Sequence, residues 1–343
     1  MGDQLPGILL TSLANIRYLS GFSGSNAALF VSRDDPHNDI ICTDGRYLTQ
    51  VKAECPDLPV HQDRSCATAL VARLAETGFR VIGIEDNISI AIEQELAKSV
   101  TLVATSGLVE QLRMVKDAGE LKLLARAGAI TSQAMAQLFV ELRVGMTEVN
   151  VARRLEQLFG ELGADDRAFE TIVAAGPASA IPHHQPTARA LAVGDLLVVD
   201  AGAMVSGYHA DMTRTVVVGT DPGPWQVQIH GVVLAAQEAG MKACTPGVQL
   251  TAIDMAARSV IAEAGFGPAF GHGLGHGVGL EIHEAPMINA RSTGTISANT
   301  PVTIEPGIYL PDKGGVRIED TLVVGLSANR VLTEAARELV AVG

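Results

Sequence analysis

The stretch Gly271–Glu284, GHGLGHGVGLEIHE, limits what this chain can fold into more than any other segment. It sets three histidines, His272, His276 and His283, among five glycines. His272 and His276 stand four residues apart, the spacing that puts two imidazoles on one helix face in the zinc motif HExxH. In that motif a glutamate follows the first histidine, whereas here a glycine does. A helix would lose about 1 kcal/mol relative to alanine at each of Gly273, Gly275 and Gly277. The segment is therefore expected as extended backbone, with imidazoles displayed on a glycine-rich strand.

Acidic residues recur in the same half of the chain, each embedded in apolar sequence. LLVVDAGAMVSGYHADMTRTVVVG, Leu196 to Gly219, reads as two strands joined by a turn at Ser206-Gly207, carrying Asp200 and Asp211. VTIEPGIY puts Glu305 at the end of an apolar run stopped by Pro306-Gly307, and GGVRIEDTLVV puts Glu319 inside a strand pattern two residues after Arg317. A buried carboxylate costs several kcal/mol unless it is paired or bound to metal. Two explanations fit: each acid pairs locally with a loop or with an arginine such as Arg214 or Arg317, or four carboxylates and one imidazole share a pair of divalent cations. Four such acids and a glycine-flanked histidine in one region favour the shared site.

The rest of the chain supplies the frame. With 343 residues and 47% hydrophobic side chains it can bury a large core and is expected to form two domains. Short apolar runs between Gly7 and Thr105 (GILLT, ALFVS, DIICTD, VIGIED, VTLVAT) alternate with amphipathic segments such as CATALVARLAETGF and SIAIEQELAKS, the pattern of an α/β domain. Helical spacing then runs from about Asp117 to Leu142, before Gly145. The boundary falls near residues 107–115, giving an N-terminal domain over 1–112 and a second over 113–343. The second shows a faint repeat: helix, VGMT, helix and ADDRAFETIVAAG are echoed about 102 residues later by helix, TPGVQ, helix and GFGPAFGHGLGHG. A two-fold domain of that kind would place a site at the seam of its halves. A net charge of −13 argues against a nucleic-acid partner. MGDQLPGILL has no basic region before its apolar run and no stretch reaches membrane-spanning length, so a soluble cytoplasmic chain is expected. Cys42, Cys55, Cys66 and Cys244 follow no metal spacing and read as reduced thiols.

Taken in order, VVDAGA, GYHADMTRT, GHGLGHGVGLEIHE, TIEPGIYL and GGVRIEDT resemble the pita-bread metallopeptidases, in the branch of aminopeptidase P and prolidase. ANIRYLSGFSGSNAALFV and CTDGRYLTQVKAE resemble that branch's smaller domain, so the likeness spans the chain. It implies an α/β (α+β) protein with a small creatinase-like N-terminal domain and a pita-bread catalytic domain. Residue by residue, the resemblance implies Asp200 on one metal ion, His276 and Glu305 on the other, and Asp211 and Glu319 bridging them. Oxygen-rich ligation with one imidazole suits manganese, with cobalt or zinc as alternatives. Paired cations of this kind acidify a water for attack on a carbonyl, and Glu305 is the candidate to shuttle its proton to the leaving amine.

The resemblance gives His272 and His283 roles in binding substrate and steadying the tetrahedral intermediate, and sets His183, of AIPHHQPT, in a loop over the pocket. His184 beside it receives no role. Arg317 is expected to orient Asp200 from behind. His209 shares a strand face with Asp211 and reads either as a residue behind the ligands or as a partly buried structural histidine. The expected activity is hydrolysis of Xaa-Pro bonds at peptide N-termini, with the family's habit implying a homodimer. No lysine or arginine lies within the His183 or His272 motifs, and NIRYLSGFSGSN resembles small aminopeptidase P proteins, which favours Xaa-Pro-Yaa peptides as well as dipeptides. The alternative is a prolidase restricted to Xaa-Pro dipeptides. A creatinase-like amidinohydrolase would lack the ligand set, a non-catalytic peptide-binding module would have lost some of its acids, and a methionine aminopeptidase would lack the N-terminal domain. GHGLGHG does not complete GxGxxG, since His276 stands where the third glycine would fall.

Overall fold

The computed structural model describes residues 5–343; the first four residues of the N-terminal stretch read above lie outside the described residues. The chain divides into two compact units between Arg113 and Met114.

In the first unit the five apolar runs become β1 (Gly7–Leu10), β2 (Ala27–Ser32), β3 (Ile40–Thr43), β5 (Val81–Glu85) and β6 (Thr101–Thr105). A further short strand, β4 (Val60–Gln62), carries no apolar run and was invisible to the hydrophobic pattern. The sheet order is β4-β3-β2-β1-β5-β6, antiparallel through β1, β2 and β3 and parallel at both flanks. Helices α1 (Leu13–Ser20), α2 (Leu48–Glu54), α3 (Cys66–Glu76), α4 (Ile90–Leu96) and α5 (Leu108–Met114) accompany it. Leu70, Val71 and Leu74 of α3 are buried and pack with Leu9, Phe30 and Ile82 of the sheet. Burying a side chain of that size stabilises the fold by about 1.5–3 kcal/mol. All four cysteines of the chain are free thiols and buried.

The second unit begins with α6 (Ala118–Glu141), whose start and stop follow from local chemistry. Asp117 accepts from the Glu120 backbone N–H and the Glu120 carboxylate accepts from that of Asp117, both at 2.8 Å, a reciprocal cap. One face of α6 buries Leu124, Ala127, Ala134, Met135 and Leu138. After α7 (Glu148–Glu161) come β7 (Asp166–Arg167), β8 (Ile172–Ala175), β9 (Leu196–Ala201), β10 (Ala203–Val205), β11 (Tyr208–His209) and β12 (Met212–Val218). Helices α8 (Pro224–Ala243) and α9 (Leu250–Glu263) follow. The chain then forms β13 (Gly275–Gly277), β14 (Glu284–Ile288), β15 (Pro301–Ile304), β16 (Gly307–Leu310), β17 (Gly314–Arg317), β18 (Asp320–Val323), β19 (Arg330–Val331) and β20 (Ala341–Val342). Two sheets dominate, β20-β12-β9-β8 and β14-β13-β15-β18-β19, beside the small sheets β11-β10-β7 and β16-β17.

The internal repeat is visible in three dimensions. α7 and α9 begin 102 residues apart, at Glu148 and Leu250. Gly145 and Gly247 before them share a left-handed backbone, with φ of 89° and 87°, and their N–H groups donate to Leu191 and Ile296. Each half contributes its own hydrophobic cluster.

Two expectations about strands need correction. The segment Leu196–Gly219 does turn at Ser206-Gly207, with φ of 48° and 79°, but each arm is broken, into β9 and β10 on one side and β11 and β12 on the other. The break sits where Gly202 meets Ala210: a Cβ on Gly202 would lie 1.7 Å from the Ala210 carbonyl oxygen. Glu319 likewise lies in the gap between β17 and β18 rather than inside a strand. Its backbone N–H donates to the Thr213 carbonyl at 3.1 Å, and its own carbonyl accepts from Arg214 Nη1 at 2.6 Å.

Candidate metal centre

The strand breaks just described aim the acids at one place. Asp200 projects from β9, Asp211 from the link between β11 and β12, Glu305 from the link between β15 and β16, and Glu319 from the link between β17 and β18. His276 is the middle residue of β13, whose flanking Gly275 and Gly277 let the neighbouring strands close in. All five line one cavity of about 300 Å³, together with His183, His272, His283 and Arg317. Among the described residues, Asp211, His276 and Glu319 each offer a ligating atom within 4.8 Å of the others. Glu305 Oε1 stands 3.5 Å and Asp211 Oδ2 3.6 Å from His276 Nε2.

Four acids in a largely buried cavity disturb one another. Burial first, and then the charges of Glu319, Asp200 and Glu305, raise the Asp211 pKa well above the ordinary aspartate value. Glu319 is raised well above its usual value by burial and by Glu305 and Asp200. Glu305 is pushed up to about 8, mainly by burial. Burial lowers His276 to about 4, so its ring is neutral. His276 Nδ1 meets the Gly277 carbonyl at 3.0 Å, and because a carbonyl only accepts, Nδ1 carries the proton. The Nε2 lone pair is thereby turned toward Asp211 and Glu305. Asp200 Oδ1 is buried without a hydrogen-bond partner.

These are features of residues suited to divalent cations: an orphaned carboxylate oxygen, an imidazole held in its ligating tautomer, and carboxylates that repel one another unless positive charge lies between them. Asp320, next in sequence to Glu319, shows what local pairing alone looks like. Asp320 is buried among Arg214 at 2.7 Å, Gln237 at 2.6 Å and Arg337 at 2.6 Å.

Arg317 sits behind the acids and contacts more than Asp200. Its Nη2 donates to Asp200 Oδ2 at 2.7 Å, its Nε to Thr213 Oγ1 at 3.1 Å and its Nη1 to Tyr309 Oη at 2.8 Å. Thr213 Oγ1 in turn donates a hydrogen bond to Glu319 Oε2 at 2.7 Å, so one guanidinium orients two of the acids. Tyr309 Oη, accepting from Arg317, donates to His272 Nε2 at 2.9 Å, while His272 Nδ1 donates to Gly273 O at 2.8 Å. Both nitrogens of His272 are thus engaged. Burial raises Tyr309 to about 12 and lowers His272 to about 4, which keeps both neutral. Tyr309 and Thr213 were missed in the sequence; the available signal was a tyrosine in an apolar run four residues after Glu305, since a buried phenol needs a partner.

The remaining histidines separate clearly. His183 and His283 are exposed on the cavity wall, and the His283 ring meets that of His276 edge-on with centroids 4.4 Å apart. His209 Nδ1 contacts Gly279 O at 2.9 Å, so its ring serves the glycine-rich segment. His184 points away to Glu148.

Residues 122–325 match metallopeptidase family M24, and residues 2–115 match the creatinase/prolidase N-terminal domain. A Xaa-Pro dipeptidase of Pyrococcus horikoshii is 37% identical, covering 98% of this chain and 95% of that one. The solved Xaa-Pro dipeptidase of Bacillus anthracis superposes with a TM-score of 0.93 at 34% identity, covering 98% of this chain and 95% of that one. The X-Pro aminopeptidase of Thermotoga maritima gives 0.89 at 34% identity, covering 98% of each. The expected α/β architecture, a creatinase-like domain ahead of a pita-bread domain, therefore holds. This chain belongs to metallopeptidase family M24 and is a metal-dependent peptide hydrolase.

Proposed function

We propose that this protein is an exopeptidase that hydrolyses Xaa-Pro bonds, with Xaa-Pro dipeptides as its first substrate. The observation that carries this reading is the convergence of four acids and a correctly protonated imidazole on one cavity. The relatives bear on substrate length: dipeptidases from Pyrococcus horikoshii and Bacillus anthracis stand among them beside an X-Pro aminopeptidase from Thermotoga maritima, and they favour the dipeptidase alternative over the preference for longer peptides. Asp200, Asp211, His276, Glu305 and Glu319 would hold two divalent cations, manganese being the best match to oxygen-rich ligation. When bound, such a pair supplies an acidified water and polarises the scissile carbonyl.

The chain's own side chains supply the rest. Phe169, Ile172 and Met287 give the cavity an apolar wall suited to a proline ring. His183 and His283 bind the peptide from the rim. His272 contributes by holding the Tyr309 hydroxyl against Arg317, which keeps Asp200 and Glu319 aligned. Glu305 takes a proton from the attacking water as the C–O bond forms and returns it to the proline nitrogen as the C–N bond breaks. The protein works as a soluble cytoplasmic homodimer in this reading; among the described residues no helix is long and apolar enough to cross a membrane. The test is kcat/KM for Ala-Pro, Ala-Pro-Ala and Ala-Ala with Mn²⁺ supplied. Cleavage of Ala-Pro well above the other two is expected. Preference for Ala-Pro-Ala would make the protein an aminopeptidase, and preference for Ala-Ala would remove the proline assignment.

A further inference from the structure

Of the two adjacent histidines in AIPHHQPT, only His183 lines the cavity. His184 turns the other way, and its Nε2 lies 2.9 Å from Glu148 Oε2. Its side chain is 13% exposed and that of Glu148 is 0% exposed. Glu148, the first residue of α7, gathers more than this one contact. Its Oε1 accepts from the Ala175 N–H at 2.9 Å, and its Oε2 accepts from the Thr187 N–H at 2.9 Å and the Thr187 hydroxyl at 2.7 Å. Burial pushes its pKa up, but the hydrogen bonds from Thr187, His184 and Ala175 outweigh that and hold it below the ordinary glutamate value.

Ala175 ends β8 and Thr187 lies beyond the loop that follows, so a single carboxylate clamps both ends of residues 176–186. The far end is fastened again by Val149 N–H to Thr187 O and Glu148 N–H to Arg189 O, both at 3.1 Å. Between the clamps the loop does its work at the cavity: the Pro182 carbonyl accepts from Arg317 Nη1 at 3.3 Å, and His183 stands on the wall. His184 ties that working stretch to the clamp, one residue from His183.

We propose that the His184–Glu148 pair is a positioning device that fixes the 176–187 loop, so that His183 stands over the substrate cavity and the Pro182 carbonyl meets Arg317. His184 touches no substrate in this account. The proposal rests on the reading of His183 as a substrate-binding residue.

A double-mutant cycle on the full-length, Mn²⁺-loaded protein with Ala-Pro separates the two. His184→Ala is expected to lower kcat/KM by roughly tenfold, mainly through KM, because a misplaced binding group weakens every productive encounter. His184→Gln, whose amide N–H can occupy the place of imidazole Nε2, should recover activity to within about threefold of the parent. Adding His184→Ala to His183→Ala should cost clearly less than the roughly tenfold that His184→Ala costs alone, since His184 acts mainly through His183. Hydrogen exchange over residues 181–187 should quicken in His184→Ala, with manganese content unchanged. If His184→Ala folds poorly, His184→Asn, polar but too short to reach Glu148, takes its place. Additive losses in the double variant, no rescue by glutamine, or parent-level activity in His184→Ala would overturn the positioning role while leaving His183 in place. Parent-level activity in His183→Ala would overturn both.

Discussion

At the scale of single residues, the proposed division is between side chains that hold metal and side chains that meet the peptide. His276 shows its bare Nε2 to Asp211 and Glu305, whereas His183 and His283 stand exposed at the rim. His276→Ala should therefore lose bound metal and turnover together. His183→Ala and His283→Ala should keep their metal while kcat/KM falls by about 10²-fold, the scale of a lost transition-state contact. Asp211→Asn preserves shape and removes charge, and should bind well under two ions per chain. Metal analysis of the four purified variants beside their kinetics checks the assignment; equal metal loss in all of them would mean that rim and ligand roles are confused. A histidine that the sequence left without a role, His184, has its partner 36 residues away in Glu148. No local pattern encodes such a contact.

At the scale of elements, the site depends on strands coming unusually close. Gly275 sits where a Cβ would fall 1.9 Å from the Thr303 carbonyl oxygen. Gly275→Ala must push β13 off β15, and with it His276, so it should destabilise the protein by about 1–3 kcal/mol and lower metal affinity. Gly231, exposed in the middle of α8 with no atom within 4 Å of its missing Cβ, is the control. Gly231→Ala should stabilise by roughly 0.5–1 kcal/mol. Chemical denaturation of the two variants decides the point, and a neutral Gly275→Ala would contradict the close approach. The same elements show what could be read from sequence alone. α6 was legible from Asp117 to Leu142 because its cap and its buried stripe are written within one segment. The apolar runs that became β1, β2, β3, β5 and β6 were legible for the same reason. β4 was not, since its three residues bear no apolar alternation. The breaks at Gly202 and before Glu319 were also hidden, because they are set by neighbours distant in sequence.

At the scale of the whole molecule, the acids that would bind cations work against the fold without them. Asp211 and Glu319 are raised well above their usual values by burial and then by the neighbouring carboxylates, and Glu305 is raised to about 8 by burial, with Asp200 adding to it. Groups raised in the folded state contribute stability at pH below their unfolded values, and that contribution is lost as pH climbs through the folded ones. His272 and His276 run the opposite way: lowered from 6.5 to about 4, they contribute above 6.5 and lose that contribution on acidification. The carboxyl effect is therefore isolated above pH 6.5. The Tm of metal-free protein should fall between pH 6.5 and about 8.5, and saturating Mn²⁺ should flatten that slope, because cations take the place of the shared protons. A flat metal-free profile would mean that the acids do not feel one another. Titrating metal-stripped protein with Mn²⁺ while following Ala-Pro cleavage shows whether this acid-lined cavity holds paired cations for Xaa-Pro hydrolysis. Activity absent at the start and complete near two equivalents per chain is the predicted result; undiminished cleavage in the presence of chelator, or none at any loading, would contradict it.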